Sequence, residues 1–275
     1  MRSNGNEIMG AVAPACGIAV MAKASFPGRT KTRLVPPLSF AEAAAFNTAF
    51  LRDVAANIAA AANEVASRGD AGRSSVKGYM AFGPPGSEAF FADILPASIG
   101  RFEAWYPNFG DCLFAAIEQL MGRGHTGAVV LNSDSPTLPT TLLVETAEVL
   151  GRPGDRVVLG PSTDGGYYLL GVKAAHRRLF EDVAWSTEAV ARQTSERAAE
   201  LGLDVHVLPV WYDVDDAASL RVLKAELCDG VAFAHGLTPH RALHARALLG
   251  ALLAGTDLPQ RLLGGTDPSM QRAAE

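Results

Sequence analysis

Four cations crowd one stretch of an otherwise acidic chain. Lys23, Arg29, Lys31 and Arg33 lie in GIAVMAKASFPGRTKTRL, residues 17–34, and no Asp or Glu occurs between Glu7 and Glu42. The stretch begins as a short apolar run with Ile18 and Val20 as strand formers, then breaks at Pro27-Gly28. A buried strand that ends in a basic, glycine-containing loop and leads into a helix suits an anion, because backbone N–H groups and fixed charge meet there. So many cations suit a triphosphate better than a single carboxylate. Three other segments supply the opposite charge: Asn132-Ser133-Asp134, Asp164-Gly165-Gly166 and Asp213-Val214-Asp215. Carboxylates alone would repel a phosphate. A divalent cation, Mg²⁺ or Mn²⁺, held by one or two carboxylates and by phosphate oxygens reconciles the two sets.

Each motif taken singly has a plainer reading. The basic loop could be a solvated surface loop. Asp134 could cap the helix that follows it, Asp164 could be a turn residue before Gly-Gly, and Asp215 or Asp216 could be an N-cap. His240 and His244 are spaced i, i+4 but lack a third ligand. Tyr167, Tyr168, Trp185, Trp211 and Tyr212 flank the acidic points and read as core packing with polar tips, or as the wall of a pocket.

These segments need a scaffold that brings them together. The chain has 275 residues, 48% hydrophobic and 19% charged, which suits one large α/β domain or two small ones. Its net charge of −5 argues against nucleic acid as a partner. Cys16, Cys112 and Cys228 are far apart, which suits neither a disulfide framework nor a zinc site and fits a cytoplasmic location. Arg2 precedes an apolar stretch over 8–24 that loosely resembles a signal peptide, but Gly10, Pro14 and Gly17 interrupt it. We read 1–15 as a flexible leader. No window has the uninterrupted apolar length that crosses a membrane.

Strands are expected at 17–22, 76–82, 102–106, 127–132, 156–160, 167–172 and 205–210. GAVVLN, 127–132, is apolar until its last residue, as a central parallel strand covered on both faces should be. Helices are expected at 39–65, opened by a Ser39/Glu42 capping box, and at 87–95, 110–121, 139–150, 174–181, 187–201 and 216–227. A polar loop is expected at 67–75. Alternation of strands and helices predicts a mostly parallel sheet with helices on both faces. The basic loop and the three acidic segments then fall at strand ends, where open sheets bind ligands.

The segments MAKASFPGRTKTRLVPPLS, LNSDSPTLP, VVLGPSTDGGYYLLG, WSTEAV and WYDVDD resemble the bacterial DUF2064 proteins. These are provisionally assigned as glycosyltransferases of GT-A, nucleotide-diphospho-sugar-transferase fold. They are related to 2-phospho-lactate guanylyltransferase and the molybdenum-cofactor nucleotidyltransferases. The resemblance covers roughly 17–225 and implies a Rossmann-like three-layer α/β/α sandwich that binds a nucleotide and a divalent metal. It makes Asp134 and Asp215 the metal ligands, with Asp213 competing for the second place, and Arg29, Lys31 and Arg33 the phosphate-binding loop. We assign catalytic contact to Lys23, Arg29, Lys31 and Asp134. Nucleotide contact is assigned to Ala22, Gly28, Arg29, Lys31, Arg33, Gly110, Ser133, Asp164, Gly165 and Gly166. One departure concerns base choice and a phosphate contact. Relatives tend to show Gln-x-Gly followed by Leu-Gly-x-Arg, whereas residues 108–115 here read NFGDCLFA, without the Arg.

The expected ligands are a nucleoside triphosphate or nucleotide-sugar and a small anionic acceptor. The expected reaction is nucleotidyl transfer with release of pyrophosphate, with glycosyl transfer or non-catalytic nucleotide binding as alternatives. The catalytic domain should span 16–228. Residues 229–275 should form an appendix with one helix over 239–253 and a Gly/Pro-rich tail. The apolar face of that helix, Leu243, Ala247, Leu248, Ala251 and Leu252, should bury against the core or a second subunit of a homodimer.

Overall fold

The computed structural model describes residues 15–68 and 75–264. The leader over 1–14, most of the polar loop expected at 67–75, and the end of the tail lie outside them. Seven strands form one sheet in the order β3-β2-β1-β4-β6-β5-β7. They are β1 (Ala15–Lys23), β2 (Ser75–Gly83), β3 (Gly100–Glu103), β4 (Gly127–Leu131), β5 (Arg156–Pro161), β6 (Tyr167–Val172) and β7 (Asp204–Val207). All neighbours run parallel except β6, which is antiparallel to both β4 and β5. The Asp164-Gly165-Gly166 turn reverses the chain between β5 and β6, so β6 starts at the edge where the parallel strands end.

Alternation along β1 divides the core between the two faces of the sheet. Ile18, Val20 and Ala22 join one apolar cluster and Ala19 joins the other. The first cluster is covered by α1 (Phe40–Ser67), α4 (Thr140–Gly151), α6 (Ala217–Cys228) and α7 (Leu243–Gly255), with Phe91 of α2 (Glu88–Ile94). The second is covered by α3 (Phe109–Gly122) and by Ala198 of α5 (Val190–Glu200). This is the expected α/β/α sandwich. β4, the run without a polar side chain, is buried along its whole length at the centre. The Ser39/Glu42 capping box opens α1 in full.

Several boundaries moved. Of the helix expected at 174–181 only a 3-10 turn, Arg177–Phe180, is present. His176 is drawn 2.6 Å from the Asp155 carboxylate, and Asp182 turns left-handed at φ 52°, so the helix stops at either end. The strands expected at 102–106 and 205–210 end early, at Glu103 and Val207.

The tail differs most. Leu258–Leu263 form α8 where a Gly/Pro-rich extension was expected; its proline lies in the first turn, where the missing N–H costs nothing. The buried residues of α7 are Ala245 and Leu249, while Leu243 is exposed and Leu248, Leu252 and Leu253 are half-buried. The reason is a cap from another helix. Asp53 of α1 accepts from His244 N (2.9 Å) and Ala245 N (2.8 Å), which sets the rotation of α7 on α1. α8 is tied down by Arg261, whose guanidinium meets both Glu42 carboxylate oxygens at 2.8–2.9 Å. That contact, with the Ser39 backbone, holds the Glu42 carboxyl down at about 2. We expect Arg261→Ala to cost about 1 kcal/mol in urea unfolding at pH 7, modest because the pair lies near solvent. A depressed carboxylate pKa stabilises the fold above the unfolded value and loses that contribution as pH falls. The difference from wild type should therefore vanish between about pH 4.3 and pH 2.

Candidate active site

The sheet reverses its strand order between β1 and β4, and a cleft of about 410 Å³ opens there at the carboxyl edge. Lys23, Arg29, Lys31 and Arg33 line it from the β1 side, and Asn132, Ser133, Asp134 and Asp215 from the other. Phe109 and Leu113 of α3 and Tyr167 at the start of β6 contribute to its wall. Sequence-distant cations and carboxylates thus meet across one cleft.

The basic loop does not run extended. It is a turn followed by a 3-10 helix, Thr32–Leu34. The turn has a lock. Thr30 is buried, and its hydroxyl accepts from Phe26 N (3.0 Å) and donates to Phe26 O (2.9 Å). Gly28 supplies the left-handed residue at φ 77°. Asn47 of α1 donates to Lys23 O (3.0 Å) and Ser25 Oγ (2.8 Å), which fixes the exit of β1. Arg29 and Arg33 are exposed and make no ion pair among the described residues. Lys23 extends over the Trp105 ring, 5.7 Å from its centroid.

Lys31 does something else. Its backbone is left-handed at φ 53°, a conformation that costs a non-glycine residue energy. Its ammonium lies 2.8 Å from Asp134 Oδ1, 2.8 Å from Asp215 Oδ1 and 2.8 Å from Val214 O, and the side chain is only 6% exposed. Burial alone would lower its pKa, but the two carboxylates outweigh it and raise the pKa above the ordinary lysine value. Its place is therefore in the acidic cluster, not on the open lip with Arg29 and Arg33.

The two carboxylates reach Lys31 because their neighbours do the capping. Asp216, not Asp215, is the N-cap of α6 in a capping box with Ser219. Asp134 does not cap α4, which starts after Pro139; its carboxylate accepts from Ser133 Oγ (2.8 Å). Val214 N donates to Asp134 O (2.8 Å), joining the two acidic segments backbone to backbone.

Asp213 stands behind them, outside the cleft lining. Burial, with help from Asp164, Asp215 and Asp134, pushes its carboxyl up to about 7. A raised pKa means that the fold is favoured at low pH and loses that advantage as pH rises from the unfolded value of about 3.9 through 7. Asp213→Asn should accordingly raise the melting temperature at pH 8 and leave it unchanged at pH 4.

Other expected contacts lie elsewhere. Ala22 is buried in the core. Gly110 packs at the start of α3, where an added Cβ would stand 2.8 Å from Trp185 Nε1. Asp164 makes a turn, accepting from Gly166 N at 2.8 Å. Gly165, at φ 86°, has no room for a side chain: its Cβ would fall 2.2 Å from Glu188 O. None of Ala22, Gly110, Asp164, Gly165 and Gly166 lines the cleft. Asn132 and Tyr167 do, and each carries a buried polar atom without a partner among the described residues, Oδ1 and the hydroxyl. The Asn132 amide points its oxygen away from Ser135 for a definite reason. Ser135 Oγ donates to Tyr212 O (2.9 Å), so it must accept from Asn132 Nδ2 (3.1 Å). Asn47, a polar residue in an Ala-rich helix, was the signal that sequence reasoning passed over.

Among the described residues no group of three or more His, Cys, Asp or Glu is placed to hold a metal ion. The donor set around Lys31 Nζ is nonetheless made of hard oxygens, two carboxylate and one carbonyl, the chemistry that Mg²⁺ and Mn²⁺ prefer. These residues fit a divalent cation in kind, with the lysine ammonium now among them. No described helix is long and apolar enough to cross a membrane.

Residues 70–187 match the family described as "Uncharacterized protein conserved in bacteria (DUF2064)". That span holds LNSDSPTLP and VVLGPSTDGGYYLLG, while the basic loop and WYDVDD fall outside it. No curated protein sequence matches the chain. A crystal structure from Desulfovibrio desulfuricans G20, provisionally called a nucleotide-diphospho-sugar transferase, superposes with a TM-score of 0.71 at 23% identity, over 91% of this chain and 99% of that one. A 4-diphosphocytidyl-2C-methyl-D-erythritol synthase from Anaerococcus prevotii DSM 20548 gives 0.48 at 9% identity, over 78% and 98%. At such identities the first likeness extends to the fold alone, and the second is too distant to add to it.

Proposed function

We propose that the protein is a metal-dependent transferase that moves a nucleoside monophosphate from a triphosphate to a small acceptor bearing a phosphate-like oxyanion. The observation that carries this reading is the division of charge across one cleft at the sheet's switch point. Arg29 and Arg33 stand exposed on one side, without an ion pair among the described residues, and Asp134 and Asp215 converge on the other.

In this reading Arg29 and Arg33 bind the outer phosphates and orient the chain of phosphates along the lip. Lys23 and the loop N–H groups add charge near the β1 end. Asp134 and Asp215 would hold a Mg²⁺ or Mn²⁺, which when bound supplies neutralisation of the phosphate charge. An acceptor oxygen attacks the α-phosphorus, the bond to the bridging oxygen breaks, and its electron pair leaves with pyrophosphate. The residues contribute positioning and charge more than covalent chemistry. The loop's cations favour a leaving pyrophosphate over the smaller charge of a sugar diphosphate.

Incubation with each triphosphate, Mg²⁺ and a pool of sugar phosphates tests this reading, with pyrophosphate release as the expected product. Release of a nucleoside diphosphate from a nucleotide-sugar would instead establish glycosyl transfer. Binding without any product would make the protein a nucleotide sensor.

A further inference from the structure

Lysine ammonium has three N–H donors. Lys31 Nζ donates to Asp215 Oδ1 and to Val214 O, each at 2.8 Å, and pairs with Asp134 Oδ1 at the same distance. Its charge is directed at these oxygens and away from the open lip of the cleft. The same oxygens are the hard donors that a divalent cation would need. The cleft is thus neutralised from within, its one buried cation spent on its two converging carboxylates.

We propose that Lys31 is the resident cation of this three-oxygen cradle, and that it exchanges with the metal when a metal–triphosphate complex enters. The cradle holds one cation at a time. Lys31 has to vacate it for a metal to bind, and once outside it needs an anion in place of the carboxylates. The outer phosphates beside Arg29 and Arg33 supply one. Lys31 sits at the hinge of this exchange, in a left-handed backbone position immediately before the 3-10 turn that carries Arg33. Metal alone must displace an ion pair with nothing to receive the lysine, and triphosphate alone must pull the lysine away from two carboxylates left unpaired. Together each relieves the cost of the other, so the two ligands bind cooperatively, and each must tighten the other by the same factor. Val214 O enters the site as a third oxygen, supplied by the backbone.

The inference rests on reading Asp134 and Asp215 as the metal position, and the test separates the two. Mn²⁺ is titrated into wild type and Lys31→Met without nucleotide, with free Mn²⁺ read from its paramagnetic resonance signal. Methionine keeps the length of the side chain and removes the charge. We expect Lys31→Met to bind Mn²⁺ about tenfold or more tightly than wild type, within the usual span of coupling between sites. Adding a non-hydrolysable triphosphate should tighten Mn²⁺ binding in wild type far more than in the variant. Should Lys31→Met not fold alone, with its carboxylates unpaired, Mn²⁺ should restore its circular dichroism and melting transition; failure to do so overturns the exchange. Equal Mn²⁺ affinity in wild type and a folded Lys31→Met also overturns it, while leaving the metal position intact. Absence of Mn²⁺ binding by either form, with or without triphosphate, removes the metal position and the exchange together.

Discussion

Asp134→Ala should lower kcat/KM for the proposed nucleotidyl transfer by about a hundredfold or more, ~3 kcal/mol of transition-state stabilisation, and leave the fold intact. The expectation follows from what the side chain touches. Among the described residues its carboxylate meets the Lys31 ammonium and Ser133 Oγ, both within the cleft lining. The link that joins its segment to the next strand end runs through the backbone, Val214 N to Asp134 O, and survives the substitution. Asp215 remains to neutralise Lys31 one to one, so no buried charge is stranded. A melting temperature within a few degrees of wild type together with a collapse of turnover would place Asp134 in the chemistry. Unchanged turnover would remove it, and a large loss of stability would make it a structural ion-pair partner.

Arg29→Ala and Arg33→Ala should each weaken triphosphate binding by about 1.5–3 kcal/mol, the range for hydrogen bonds to charged groups. Both side chains are exposed on the lip of the cleft, and among the described residues neither has a carboxylate partner to lose. Their removal therefore changes little in the free protein and registers only in ligand affinity. The loss should be greater for a triphosphate than for the matching monophosphate, because the arginines would reach the outer phosphates. Calorimetric titration of both ligands against each variant measures it. Equal losses would place the arginines at the α-phosphate. No loss for either ligand would return the segment to a solvated surface loop.

The architecture was readable because its signals are local and periodic. A helix-opening Ser39/Glu42 box and apolar runs at 17–22 and 127–132 each point to one structure. Signals failed where a distant partner decides. Nothing near Leu243 says that Asp53, from another helix, will cap α7 and turn it. The antiparallel β6 follows from a tight Gly-Gly reversal that its own apolar composition does not reveal. At the site, the residue types were visible but their pairing was not. Arg29, Lys31 and Arg33 look equivalent in sequence, and only the fold shows that the middle one turns inward to the acidic ends of two other segments. The same holds for Asp213, Asp215 and Asp216. Three acids in four positions divide into a buried carboxyl with a raised pKa, a partner for Lys31, and a helix cap.

The proposed function requires this cleft to take a phosphate chain and a divalent cation together. Calorimetric titration of the four nucleoside triphosphates into the wild-type protein, each with and without Mg²⁺, tests it most directly. Saturable one-to-one binding of at least one triphosphate in Mg²⁺ is expected, weakened when the metal is withheld and weakened again in Arg33→Ala. Failure of all four to bind in Mg²⁺, or binding indifferent to both the metal and the loop arginine, would contradict it.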